Sequence, residues 1–173
     1  TRKMLTKCNN VYNTDTNDIL LTCFSLAIKD VFLLENIFLN IEGHGREDVG
    51  EWINKDIDTS RTVGWFTAIY PVVLTVSHEK KEDNLVSIKE YLRRVPRKGI
   101  GYGIIKYLSN DLIKSLNYGK KTFSPEITYN YLGDFGSGIA NEDGKSVFTY
   151  AKERSGLPQS KFRKRKDLLS VTL

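Results

Sequence analysis

Cysteine and histidine are scarce in this chain, with two of each, and methionine occurs once. Cys8 and Cys23 cannot build a disulfide framework, and neither His44 nor His78 has a second ligand at metal-binding spacing. A disulfide scaffold and a metal centre are therefore excluded as organising features, and reduced thiols point to a cytoplasmic protein. Long apolar runs are missing as well. None approaches the roughly 18 residues that span a bilayer. The opening Thr1-Arg2-Lys3-Met4-Leu5-Thr6-Lys7 carries charge with no apolar stretch behind it, unlike a secretory leader. No Ser or Cys stands in a nucleophile-elbow pattern.

What is present is ordinary globular composition, 40% apolar and 27% charged over 173 residues, enough for one compact domain with a core. The net charge of +5 is local. Lys152, Arg154, Lys161, Arg163, Lys164, Arg165 and Lys166, set against Glu153 and Asp167, account for all of it. Phe162 is the lone aromatic among these cations, so base stacking has no platform and nucleic acid is not the expected partner. The chain begins on Thr and stops at Leu168-Leu169-Ser170-Val171-Thr172-Leu173, an apolar strand with no polar tail; it is expected to be a piece of something longer.

Helix and strand signals alternate. Asp15 or Thr16 caps a helix over about 16–31, with Leu20, Phe24, Ala27 and Val31 as its apolar face and Ile19, Cys23 and Ile28 widening it. Residues 36–42 alternate as a strand, Ile37, Leu39 and Ile41 facing one way and Phe38, Asn40 and Glu42 the other. Residues 48–62 are polar and irregular or briefly helical. The β-branched and aromatic run 63–76 is broken by Pro71, which predicts a bulge or a sheet edge. Asp83 or Asn84 caps a second helix with Leu85, Ile88, Leu92 and Val95 inside, and Pro96 ends it. Gly99, Gly101 and Gly103 then form a tight turn, since a phosphate cradle would open a helix directly after a strand. Short helical stretches are expected near 104–108 and 111–116, strands at 126–132 and 147–151, and a loop at 134–146. The pattern predicts an α/β two-layer sandwich.

Among the ionisable groups, Glu42 stands at a strand end against a two-glycine loop, a place where α/β folds hold reacting groups. Walled by apolar neighbours such as Phe38, it would carry a proton near neutrality. A surface glutamate, or one paired with Arg46 four residues on, is the plainer alternative.

Four segments resemble one family together. They are Glu42-Gly43-His44-Gly45-Arg46-Glu47; Arg61-Thr62-Val63-Gly64-Trp65-Phe66-Thr67 with Tyr70-Pro71; the Pro-x-x-Gly-x-Gly-x-Gly run Pro96 to Gly103; and Asn130-Tyr131-Leu132-Gly133. In this order and spacing they are similar to epimerization domains of nonribosomal peptide synthetases, members of the condensation-domain superfamily. Residues 17–22 resemble the family's helix in that place, and the likeness runs over about 12–151. Condensing relatives typically read Gly-x-Phe-Val-Asn-Thr where this chain has Gly64-Trp65-Phe66-Thr67. The resemblance implies the C-terminal half of a chloramphenicol-acetyltransferase-like fold, facing its N-terminal half across a cleft. It implies inversion of an aminoacyl or peptidyl thioester, borne on the phosphopantetheine of a peptidyl carrier domain, by Cα deprotonation and reprotonation, with no other cofactor.

By that resemblance Glu42 is one proton-transfer group, Arg46 orients it or its loop, Asn130 and Tyr131 line the site, and His44 is structural. The other group is the second histidine of a His-His-x-x-x-Asp-Gly motif, which this chain lacks, so the chain alone is expected to show little activity. The alternatives are a non-catalytic module that docks or scaffolds carrier domains and a peptide-bond-forming condensation domain. The cluster Lys161 to Lys166 matches no motif of the family.

Overall fold

The computed structural model describes residues 7–47, 59, 61–108, 124–133, 153, 156 and 160–173. The expected helix at 111–116, loop at 134–146 and strand at 147–151 lie outside the described residues. So does most of the polar stretch 48–62.

One turn of helix, α1 (Asn9–Tyr12), leads into α2 (Thr16–Phe32). Asp15 caps α2 as expected: its extended backbone and side chain close a reciprocal box in which the Asp15 N–H donates to Asp18 Oδ2 at 2.9 Å. The buried face of α2 differs from the expected stripe. Ile19, Leu21, Ser25 and Ile28 are buried together with Asp18 and Thr22, whereas Cys23, Ala27 and Val31 are exposed. Leu20 and Phe24 pack partly against the core, Phe24 through its ring against Tyr129. Short polar side chains let α2 lie close to its neighbours, and the Thr22 hydroxyl satisfies itself on the Asp18 carbonyl.

Strand β1 (Asn36–Gly43) pairs antiparallel with β2 (Ala68–Thr75) and parallel with β3 (Ile127–Asn130); β4 (Leu169–Thr172) adds in parallel outside β3. The sheet order is β2-β1-β3-β4. Pro71 sits opposite Asn40 within β2, an edge strand, where its missing N–H costs no ladder bond. Ile37, Leu39 and Ile41 of β1, Tyr70, Val72 and Leu74 of β2, and Tyr129 of β3 form one apolar face. Leu21 and Ile28 of α2 and Ile88 of α3 (Lys81–Arg94) cover it. This is the two-layer α/β sandwich expected from the sequence.

Asn84 is not the cap of α3, which begins three residues earlier. Fully buried, it accepts from the His78 N–H and donates to the carbonyls of His78 and Lys80, closing the turn before the helix.

After α3, Pro96–Gly99 makes one tight turn in which Arg97, Lys98 and Gly99 all take positive φ. The helix α4 (Ile100–Leu108) follows at once, four residues sooner than expected, so Gly101 and Gly103 are helical and only Gly99 belongs to the turn. A Cβ on Gly99 would fall 2.1 Å from the Tyr70 ring, and this close approach requires glycine there.

Candidate active site

Glu42 and Asn130 are register partners at the C-terminal ends of the parallel strands β1 and β3. Strand alternation aims both side chains away from the α2–α3 layer, and the Asn130 amide Nδ2 donates to Glu42 Oε2 at 2.7 Å. Partial burial raises the proton affinity of Glu42 above that of an ordinary glutamate. The like charge of Asp167 adds to this, and Lys166 opposes it.

The loop leaving β1 is fixed by its own residues. Gly45 takes φ +67, and a Cβ there would lie 1.6 Å from the Phe66 carbonyl oxygen, so the loop backbone rests directly on the segment before β2. Arg46 makes no ion pair with Glu42. Its guanidinium donates to the carbonyls of Thr59, Thr62 (2.7 Å) and Gly64 (3.5 Å) and stacks 4.2 Å over the Phe66 ring. It thereby ties the loop 43–47 to the segment 59–67, using the planar fork that distinguishes arginine from lysine. His44 is held at both nitrogens: Nδ1 accepts from the Arg46 N–H at 3.0 Å, and Nε2 meets Glu47 Oε1 at 2.9 Å. Glu47 reaches on to Lys98 at 3.5 Å, in the turn over Tyr70. Three of the sequence motifs are thus stitched together around the carboxylate, and the Glu42–Asn130 bond joins the fourth.

Two concavities meet here. One of about 390 Å³ is lined by all four expected site residues, Glu42, Arg46, Asn130 and Tyr131, and also by Trp65 and Phe66. The other, about 580 Å³, is lined by Glu42 and Tyr131 together with Asp15, Asp18, Tyr70 and Arg93. Glu42 and Tyr131 stand between the two. A carboxylate with raised proton affinity, oriented by an amide and facing such a space, can accept and return a proton. Sequence reasoning quoted Trp65, Phe66 and Thr67 as motif without placing them at the site, and it missed Lys166 and Asp167, which no local pattern links to Glu42. Among the described residues no cluster of His, Cys, Asp or Glu is arranged to hold a metal ion, and no helix is long and apolar enough to cross a membrane.

Comparisons with known proteins follow the same lines. The family model for the condensation domain matches residues 1–164. Surfactin synthase subunit 2 of Bacillus subtilis is 41% identical over 90% of this chain, and gramicidin S synthase 1 of Brevibacillus brevis is 43% identical over 82%. Tyrocidine synthase 2 of Brevibacillus parabrevis is 40% identical over 99%. The chain spans 4%, 12% and 4% of the lengths of these three relatives. Among solved structures, the epimerization domain from the third module of tyrocidine synthetase B superposes with a TM-score of 0.82 at 37% identity, covering 99% of this chain and 36% of that one. The first condensation domain of the CDA synthetase superposes at 0.50 with 16% identity over 78% of this chain and 28% of its own, which supports the fold alone. With the fold, the motif cluster and the family match in agreement, the chain belongs to the condensation-domain family.

Proposed function

We propose that this chain is the C-terminal half of an epimerization domain of a nonribosomal peptide synthetase. It acts there on an aminoacyl or peptidyl thioester carried by the phosphopantetheine of a carrier domain. The reading rests above all on the Glu42–Asn130 pair: a half-buried carboxylate whose proton affinity is raised and whose orientation is set by an amide.

Inversion at Cα requires a proton to leave one face of the carbon and another to arrive from the opposite face. Glu42 serves as the group on one face. Its burial brings its affinity toward that of a base useful near neutrality, and the Asn130 bond fixes the oxygen that acts. As the proton leaves, negative charge moves onto the thioester oxygen. Tyr131, which lines both concavities with Glu42, and the second N–H of the Asn130 amide are the donors this reading assigns to that charge. Arg46 is a positioning residue that holds the wall formed by Trp65 and Phe66. The opposing proton-transfer group comes from the partner half, so this chain by itself shows little or no epimerization.

The experiment loads the carrier of the intact domain with an L-aminoacyl group and follows exchange of its α-proton into deuterated water. Exchange that vanishes in Glu42→Gln supports the reading. Exchange at the wild-type rate in that variant removes Glu42 from the mechanism. Peptide-bond formation is the competing activity, kept in view by the name of the matching family. It predicts a dipeptide without D-residue formation, and it is weakened by the closer likeness to an epimerization domain.

A further inference from the structure

Glu47 ends the loop that begins after Glu42, and it takes no part in the proton transfers proposed above. Its side chain is only 20% exposed, whereas those of the two groups it meets, His44 and Lys98, are 61% and 68% exposed. A carboxylate set that far from water costs free energy unless its contacts compensate. Both of these contacts fall on one oxygen, Oε1, at 2.9 Å from His44 Nε2 and 3.5 Å from Lys98 Nζ.

The first contact sets the tautomer of the imidazole. A bare nitrogen lone pair 2.9 Å from a carboxylate oxygen would be repelled, so the ring proton sits on Nε2 and Nδ1 is left as an acceptor. Nδ1 then takes the Arg46 N–H at 3.0 Å. That bond folds the loop 43–47 back on itself and sets the direction in which the Arg46 side chain leaves it. From there the guanidinium reaches the carbonyls of Thr59, Thr62 and Gly64 and the ring of Phe66. Glu47 thus acts, through His44 and Arg46, on the residues that line the smaller concavity.

The second contact runs the other way. Lys98 belongs to the turn in which Arg97, Lys98 and Gly99 take φ of 45, 48 and 77. Residues with a Cβ are disfavoured in that region, so such a turn persists only where contacts hold it. Gly99 rests on the Tyr70 ring, and Lys98 is drawn to Glu47. Tyr70, Val95 and Lys98 line the larger concavity, and so does Glu47 itself, together with Glu42. The charges that act on Glu42 are those of Asp167 and Lys166, so the influence of Glu47 on the site is geometric.

Resting on the function proposed above, we propose that Glu47 is a positioning residue for the reaction of Glu42. One carboxylate oxygen fixes the His44 tautomer and anchors the left-handed turn, and so holds the linings of both concavities in place around the proton-transfer group.

The test uses the full-length protein and two readouts, the kinetics of α-proton exchange on the loaded carrier and backbone amide hydrogen exchange read by mass spectrometry. Glu47→Ala is expected to raise KM about tenfold while kcat falls less. Glu47→Gln keeps an oxygen of the same reach without the charge, and it is expected to recover part of that loss. Lys98→Ala is expected to raise KM about threefold. The double variant E47A/K98A should be no worse than Glu47→Ala, because the two residues act as one unit. In Glu47→Ala the amides of 43–47 and 96–99 should exchange faster together, while β1 and β2 keep wild-type protection. The proposal is overturned if KM is unchanged in Glu47→Ala, if the effects of Glu47→Ala and Lys98→Ala multiply, or if kcat alone falls. It is also overturned if protection is lost throughout the sheet in Glu47→Gln, which would make Glu47 a residue of the fold rather than of the site. Normal kinetics in the Glu47 variants beside lost exchange in Glu42→Gln would sink this proposal and spare the epimerase reading. Unchanged exchange in Glu42→Gln would sink that reading, and the joint loosening of 43–47 and 96–99 would still decide what Glu47 holds.

Discussion

The Asn130 amide meets Glu42 at 2.7 Å across two parallel strands in which the same residues are backbone partners, so the register of the sheet and the geometry of the candidate site are one constraint. A slip of one residue between β1 and β3 would turn one of the two side chains to the other face of the sheet.

The first prediction concerns this pair. In the intact domain Glu42→Gln lowers α-proton exchange by about 10²- to 10⁴-fold, the usual range for loss of a general acid–base. Asn130→Ala keeps the carboxylate but removes a bond that favours its charged form, so the acid limb of the rate–pH profile moves to higher pH. A profile that stays in place in Asn130→Ala would show that the amide does not tune the carboxylate.

A second prediction follows from the raised proton affinity of Glu42. The group holds its proton more tightly folded than unfolded, so the stability it contributes is complete below the ordinary glutamate value and is lost as pH rises through the folded value. Glu42→Gln has no proton to lose. Melting temperatures between about pH 4 and pH 8 should show a variant whose advantage over wild type is smallest at the acid end, grows through that window and then levels off. An advantage that shrinks with rising pH would contradict the raised affinity.

Gly99 and Gly101 should respond in opposite ways to alanine. At Gly99, φ is +77 and the new Cβ would overlap the Tyr70 ring, so strain and overpacking together cost about 2–4 kcal/mol. Gly101 is helical with nothing within 4 Å of the added atom, and alanine there is expected to stabilise by about 0.5–1 kcal/mol. Denaturant midpoints of the two variants decide it; equal losses would mean that the turn and the helix are not distinct as described.

Arg46→Lys keeps the charge but not the fork. The contacts to the Thr59, Thr62 and Gly64 carbonyls and the stacking on Phe66 are lost together, at a cost of about 1–2 kcal/mol. Limited proteolysis should cut faster within residues 59–67. Because Arg46 acts through the cavity wall, KM for the carrier-borne substrate should rise more than kcat falls. A fall in kcat alone would place Arg46 in the chemistry itself.

How much of this was legible in the sequence differs from element to element. The alternation of Ile37, Leu39 and Ile41 gives β1 its face, and Pro71 marks a bulge or a sheet edge, of which the fold takes the edge, because both signals are local. The face of α2 was misjudged for a physical reason. An apolar template cannot anticipate that Asp18, Thr22 and Ser25 turn inward while Val31 is left 71% exposed. The start of α4 was placed too late because glycine is a poor helix former, and nothing local announces that Gly101 and Gly103 sit where a helix tolerates them. At the site, the motifs brought Glu42, Arg46, Asn130 and Tyr131 to attention, and the fold gathers them around one space. The partner of Arg46 was open, since an i, i+4 spacing permits a pair with Glu42 that the loop geometry then refuses. The approach of Lys166 and Asp167 depends on β4 pairing with β3, a long-range event invisible to any window along the chain.

The parallel pairing of β1 with β3 also has a consequence in time. Glu42 and Asn130 are 88 positions apart, so at about 5–20 residues per second a ribosome delivers the amide roughly 4–18 s after the carboxylate. Until then nothing holds or desolvates that side chain from the β3 side, and a partly made chain carries only an ordinary acid. The surroundings of Glu42 are completed only once β3 and β4 have been made, so its raised proton affinity arises well after the strand that carries it.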